Sequence, residues 1–245
     1  MADHDVPTDL FVTLTPERVL DAVEHGGLET RPVCYPLNSF ENRVYEVELA
    51  DRSRVVAKFY RPGRWSEAQI LEEHAFLTEL AEEEIPVCEV RPFPDGSTVQ
   101  TVDGIHYSLW DRKAGRAPDE LDDTSVQRLG AFVGRMHAVA GRRRFEHRPR
   151  LDADRYVRRP IAFLERRRMI ARAYERRYLA AAEGIAEIAD RELRGVETLR
   201  LHGDLHLGNV LFRDGLLRVL DFDDGCTGPA VQDLWLALPG RDGET

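Results

Sequence analysis

The chain has 245 residues, 42% hydrophobic and 32% charged, with a formal net charge of −10. That length supports one well-packed domain or two small lobes. No apolar run approaches a membrane span, and the acidic balance argues against nucleic acid as the main partner. Cys34, Cys88 and Cys226 have neither metal nor redox spacing, and Asp3, Asp5 and Asp9 stand where a signal peptide is basic and apolar. Both features point to a reducing cytoplasm.

Thr15-Pro16 predicts a helix start, with Val19, Leu20 and Val23 as its apolar stripe and Gly26-Gly27 as its stop. Val44–Leu49 and Val55–Tyr60 alternate around Asp51-Arg52-Ser53 and predict an antiparallel hairpin. Ser66-Glu67-Ala68-Gln69 is a capping box, opening a helix to about Glu84 that Pro86 ends. Residues 98–110 predict a second hairpin around Asp103-Gly104. The chain then becomes mainly helical, with Leu129, Phe132, Val133 and Met136 at helical spacing. From Arg142 to Arg177 it is crowded with arginine, as in Arg142–Arg144 and Arg166–Arg168. This run reads as the solvated face of a helix, with a phosphate or acidic-substrate surface as the alternative. A last hairpin spans residues 209–220 around Asp214-Gly215, and a final helix starts near Pro229.

The fold class expected is α+β. Residues 1–110 form a small antiparallel β lobe with one internal helix and a leading helix. Residues 111–245 form a mainly helical lobe that carries the catalytic hairpin. A nucleotide would sit in a cleft between them.

The chemistry concentrates in residues 202–225. Asp204 is followed by Asn209, and the hairpin then delivers Asp221-Phe222-Asp223. Phosphoryl transfer needs a carboxylate to orient a hydroxyl, and hard oxygen ligands for Mg²⁺. Asp204 suits the first task, Asn209 and Asp221 the second. Asp223 either touches a second metal or only orients the others. Lys58 lies mid-strand between apolar neighbours and needs a partner or a phosphate. Glu73 shares the helical stripe of Ile70, Leu77 and Leu80, so it points inward and can pair with Lys58. No glycine-rich loop precedes Lys58; the turn at residues 37–42, with Ser39, occupies that place. His202 and His206 do not suit zinc, because Gly203 disfavours a helix and no glutamate base adjoins His202. His202 instead reads as a backbone-bonding residue that fixes the loop. An EF-hand starting at Asp221 fails, because glycine falls one position early and Gln232 replaces the bidentate glutamate.

These motifs resemble the aminoglycoside phosphotransferase and choline kinase superfamily, a branch of the protein-kinase-like fold. The blocks Pro36–Tyr45, Lys58–Pro62, Ile70–His74, Leu201–Asp204 and Gly228–Trp235 are similar, more narrowly, to the bacterial stress response kinase A family. The resemblance implies a bilobal fold and ATP-dependent phosphorylation of serine or threonine on proteins, with a role in surviving stress. It implies Asp204 as catalytic base and Asn209 and Asp221 as Mg²⁺ ligands. Ser39 would lie near ATP, Lys58 would hold phosphate, and Leu109, Trp110, Asp111 and Arg112 would form the hinge beside adenine. Asp233 would brace the catalytic loop. A kinase of small hydroxyl compounds is the alternative, and a silent nucleotide-binding scaffold the second. Members of that family continue with further helices past the point matching Thr245. The last helix, with Val231, Leu234, Trp235, Leu236 and Leu238, is therefore expected to lack cover, or to gain it from a partner or a second copy.

Overall fold

The computed structural model describes residues 11 and 13–237. The expectations for Asp3, Asp5, Asp9 and Leu238 lie outside the described residues. The chain packs as two compact units. The first runs to residue 129 and takes in residues 208–223; the second comprises residues 130–207 and those from 224 on.

In the first unit, helix α1 (Pro16–His25) begins where Thr15 accepts a hydrogen bond from the Arg18 backbone N–H, with proline at the start. Strands β1 (Thr30–Leu37), β2 (Arg43–Leu49) and β3 (Arg54–Phe59) follow, then helix α2 (Glu67–Glu82). Strands β4 (Val90–Arg91), β5 (Gln100–Val102) and β6 (Ile105–Asp111) complete a sheet of order β1-β2-β3-β6-β4, with β5 also on β6. All pairings are antiparallel. β1 is an edge strand, which explains its two prolines, and a register shift separates Thr30 from Cys34.

Strand alternation sorts the two faces. Val55, Ala57 and Phe59 pack with Val19, Ala22 and Val23 of α1 and with Tyr107 and Leu109. Val56 and Lys58 therefore project from the opposite face. The capping box forms as expected, with Ser66 and Gln69 satisfying each other's backbone N–H groups. Trp65, just ahead of the cap, packs in one cluster with Ile70, a hydrophobic staple.

The hairpin of β8 (Val210–Arg213) and β9 (Leu216–Val219) turns on Asp214 and Gly215, both at positive φ, as Asp103 and Gly104 are in the β5–β6 turn. Two positive-φ residues are what a type I′ turn requires. The hairpin is tied on both edges to the first unit. Val219 bridges Val87, and Phe212 bridges Arg116. By packing it belongs with the β-rich unit, not with the helical residues that follow position 110.

Helix α3 (Asp123–Ala140) starts in the first unit and ends in the second. The second unit adds a π-helical turn (Asp154–Arg158), α4 (Arg159–Arg166) and α5 (Glu175–Glu192). Strands β7 (Leu199–Leu201) and β10 (Cys226–Gly228) pair, and α6 (Gln232–Trp235) follows.

The expected arginine-bearing helix is not continuous. Arg142–Arg144 lie in a bend after α3, and α4 closes after eight residues. Arg168 takes a left-handed φ of 52° there. Its N–H bonds to Glu165 O and the Met169 N–H bonds to Leu164 O, a Schellman closure. α6 spans only four residues; it buries Asp233 and leaves Val231, Leu234 and Trp235 exposed.

Candidate active site

Lys58 is buried, 6% exposed, and three carboxylates surround its Nζ. Asp221 Oδ1 accepts a hydrogen bond from it at 3.1 Å, Asp223 Oδ1 lies at 3.1 Å and Glu73 Oε1 at 3.6 Å. Burial pushes the lysine pKa down, but Asp221, Asp223 and Glu73 push it up by more. Lys58 therefore stays charged, and its ion pairs offset its desolvation. The pairing of Lys58 with Glu73 anticipated from strand and helix periodicity is present.

Behind the pair, the Tyr60 hydroxyl and His74 Nε2 lie 3.0 Å apart, and His74 Nδ1 lies 2.8 Å from Thr98 Oγ1. The Lys58 ammonium sits 5.1 Å from the Tyr60 ring centroid. Burial raises the Tyr60 pKa far above that of a free phenol, so its hydroxyl stays protonated.

Asp221 and Asp223 differ sharply. Asp221 has a side chain 47% exposed and a φ of +62°, a costly conformation for a non-glycine residue. Asp223 is buried. It receives Trp65 Nε1 at 3.2 Å and pairs with Arg64 at 3.0 Å as well as with Lys58. Phe222, between them, is anchored edge-on against Phe76 with centroids 5.8 Å apart. Of the expected metal ligands, Asp223 is thus enclosed by Lys58, Arg64 and Trp65, whereas Asp221 pairs with Lys58 through Oδ1 and keeps its side chain 47% exposed. Asn209 is buried, and its carbonyl accepts the Leu220 N–H at 3.0 Å. The hairpin therefore brings the backbones at 209 and 221 to one end. Among the described residues no group of three or more His, Cys, Asp or Glu is placed to hold a metal ion. A Mg²⁺ ion takes only one or two protein oxygens and fills its shell with water and phosphate, so Asn209 and Asp221 remain a chemically suitable pair.

A cavity of about 290 Å³ adjoins this cluster. Ser39, Lys58, Glu73, Trp110, Asp111 and Asp221 all line it. Leu109 does not; it is buried on the α1 face of the sheet, because alternation along β6 turns it away from Trp110. The cavity also has apolar walls that sequence reading missed, among them Val44, Val56, Leu211 and Leu220. A signal for two of them was available. Val56 is two residues from Lys58 on one strand, and Val44 is its register partner. The Trp110 indole N–H is buried and has no hydrogen-bond partner among the described residues. Burial pushes the thiol of Cys88, also on the wall, up to about 11, which favours the protonated thiol at neutral pH.

Asp204 lies in the second unit. β7 leads into His202-Gly203-Asp204, and the Asp204 N–H donates to His202 Nδ1 at 3.2 Å. His202 and Gly203 donate their own N–H groups to Asp233 at 3.1 and 2.9 Å. His137 Nε2, from α3, meets the same carboxylate at 2.9 Å. Asp233 thus clasps the loop through its backbone. Gly203 has φ +87°, and a Cβ there would fall 2.1 Å from the Asp224 carbonyl oxygen, so only glycine fits. Asp204 keeps a side chain 42% exposed, 3.6 Å from His206. The contribution of His137 was not visible in the sequence, since 96 residues separate it from Asp233.

Comparison with known proteins shows the family and the fold. The family model described as APH, phosphotransferase enzyme family, matches residues 34–245. Stress response kinase A of Salmonella typhi is 39% identical over 235 residues, which cover 96% of this chain and 71% of that protein. The serine/threonine protein kinase RdoA of Salmonella typhimurium is likewise 39% identical with the same coverage. The Escherichia coli K12 stress response kinase A is 38% identical, also over 96% and 71%. Among solved structures, the amicoumacin kinase hAmiN, in complex with AMP-PNP, Ca²⁺ and its ligand, superposes with a TM-score of 0.77 at 20% identity, covering 97% of this chain and 75% of that one. A microcompartment-associated aminopropanol kinase gives 0.66 at 22%, covering 87% and 71%. At those identities the structures establish the shared kinase-like fold. The chain belongs to the phosphotransferase enzyme family, in its stress response kinase A branch.

Proposed function

We propose that this chain is an ATP-dependent, Mg²⁺-requiring kinase that phosphorylates serine and threonine hydroxyls on proteins. The observation that carries the reading is the convergence of Lys58, Glu73 and Asp221 on one apolar-walled cavity. In this reading Val44, Val56 and Leu220 contact the base, beside Trp110 and Asp111. Lys58, held by Glu73, binds the nucleotide phosphates, with Ser39 nearby. Asn209 and Asp221 hold the metal. The bound metal–nucleotide supplies the phosphoryl group and neutralises the charge that develops on it. Asp204 accepts the hydrogen bond of the substrate hydroxyl and orients it. Protein substrates are favoured by the name of the 39%-identical serine/threonine kinase relative. The three free cysteines suit a reducing compartment, so we assign the activity to the cytoplasm. No helix among the described residues is long and apolar enough to cross a membrane.

Incubation with γ-labelled ATP and Mg²⁺, across a panel of proteins and small alcohols, tests the reading. Label should appear on serine or threonine of a protein and vanish in Asp204→Ala. Label confined to aminoglycosides or amino alcohols would transfer the assignment to small-molecule kinases. Equal labelling by wild type and Asp204→Ala would remove Asp204 from the reaction.

A further inference from the structure

The connection between α4 and α5, residues 167–174, exposes arginine and apolar side chains together. Residues 155–177 hold nine arginines against two carboxylates, Glu165 and Glu175, in a chain whose net charge is −10. Some of this charge is matched internally. Arg158 pairs with Glu183 and Asp190, and Arg159 with Asp154. Arg166, Arg168, Arg172 and Arg176 are exposed and form no ion pair among the described residues. A solvated helix face would bury the apolar residues that alternate with its charges. Here Met169 and Tyr174 are 64% and 67% exposed beside those arginines. Apolar side chains interleaved with unmatched guanidinium groups have the composition of a protein interface, where arginine, methionine and tyrosine are enriched.

The segment is anchored to the ribbon that carries the Asp204 loop. The Leu151 N–H bonds to Thr227 O at 2.8 Å, and the Thr227 N–H bonds to Pro149 O at 2.8 Å. Thr227 in turn pairs with Arg200 of β7, two residues before His202. From there the chain passes directly into the π-helical turn and α4.

We infer that the α4–α5 connection is a docking surface for an acidic, apolar-bearing segment of the protein substrate. This inference rests on the kinase reading above, for which it specifies the substrate class. Charge complementarity selects the occupant. A short acidic segment meets only the local positive charge, whereas an extended polyanion such as nucleic acid, or an anionic bilayer, also meets the net-negative remainder of the chain. Met169 and Tyr174 offer contacts that a phosphate backbone does not use.

Fluorescence anisotropy with three labelled serine peptides tests this: one acidic with leucine and phenylalanine, one neutral, one basic. The acidic peptide should bind tightest, and more weakly as salt rises. The combined R166E/R168E/R172E/R176E variant should weaken it at least about tenfold, while lysine at the same four positions retains most of the binding. Thermal unfolding verifies that the variants are folded, and R172E/R176E serves if the fourfold variant is not. Equal affinity for the three peptides, or unchanged affinity in the glutamate variant, overturns the inference. So does tighter binding of a DNA duplex or of phosphatidylserine vesicles. Phosphate transfer is measured in parallel. Transfer to none of the peptides, with selective acidic binding intact, removes the kinase reading and keeps the docking surface. Transfer blind to peptide charge does the reverse.

Discussion

In the first unit buried charge positions Asp221; in the second, backbone N–H groups clasped by Asp233 position Asp204. The Lys58 cluster gathers one ammonium and three carboxylates, two of them inaccessible. Its geometry depends on every charge being present. The His202–Asp204 loop is held by two backbone donors and His137 on one carboxylate. The clasp is built on the backbone of the loop, at His202 and Gly203, and on the His137 ring. The difference teaches where a substitution spreads. In the cluster, the groups proposed to bind phosphate and metal also hold the fold; in the loop, the proposed acceptor carboxylate and the stabilising contacts are separate.

The largest effects should come from breaking each device at its centre. Lys58→Met leaves Glu73 and Asp223 buried without their ammonium, and should cost about 3–5 kcal/mol in chemical unfolding. Adding Glu73→Gln to Lys58→Met should restore part of that loss, because one uncompensated charge disappears. Asp233→Ala strands two backbone N–H groups and His137, and should cost a similar ~3–5 kcal/mol. Asp204→Ala, by contrast, should change stability by less than about 1 kcal/mol, as expected of a half-exposed side chain outside the clasp. A large loss of stability there would erase the distinction between the two devices.

Gly203→Ala sharpens the comparison at the next level. The substitution must relieve a Cβ at 2.1 Å from backbone and a φ of +87°, so the loop has to move. We expect a cost of ~2 kcal/mol or more, accompanied by loss of transfer activity with nucleotide binding retained. Loss of nucleotide binding in Gly203→Ala would show that the loop and the Lys58 cluster are not separable.

How much of this could be read beforehand follows from distance along the chain. Lys58 and Glu73 were legible because strand and helix periods each aim one residue inward, and the type I′ turns were legible from Asp-Gly. Leu109 differs from Trp110 and Asp111 in the expected hinge block: strand alternation turns its side chain to the α1 face, away from the cavity. The partners of Asp223 were invisible: Trp65 lies 158 residues away. β7 and β10, three residues each, are too short for periodicity to register. The arginine run misled because a left-handed Arg168 ends α4 where composition favours helix.

The smallest expected effect is a pH dependence. Glu46, buried in the first unit, pairs with Arg54 and Arg112. Burial raises its pKa, but the two guanidinium groups lower it by more, so it falls below 4.5. A carboxylate lowered on folding adds stability above its unfolded pKa and loses it as pH falls through the folded value. Glu46→Gln should therefore lower the urea midpoint at pH 7 and close the gap to wild type as pH drops below 4.5. A gap that persists unchanged in acid would mean the ion pairs contribute nothing.

On the proposed reading, the cavity at Lys58 and Asp221 binds a metal–nucleotide, while Asp204 serves only the acceptor. Calorimetric titration of a non-hydrolysable ATP analogue, with and without Mg²⁺, tests it most directly. Wild type and Asp204→Asn should bind alike and require Mg²⁺, and Asp221→Asn should lose the Mg²⁺-dependent part of the affinity. Absence of binding in wild type, or an Asp221→Asn variant with undiminished Mg²⁺ dependence, would remove the nucleotide from this cavity.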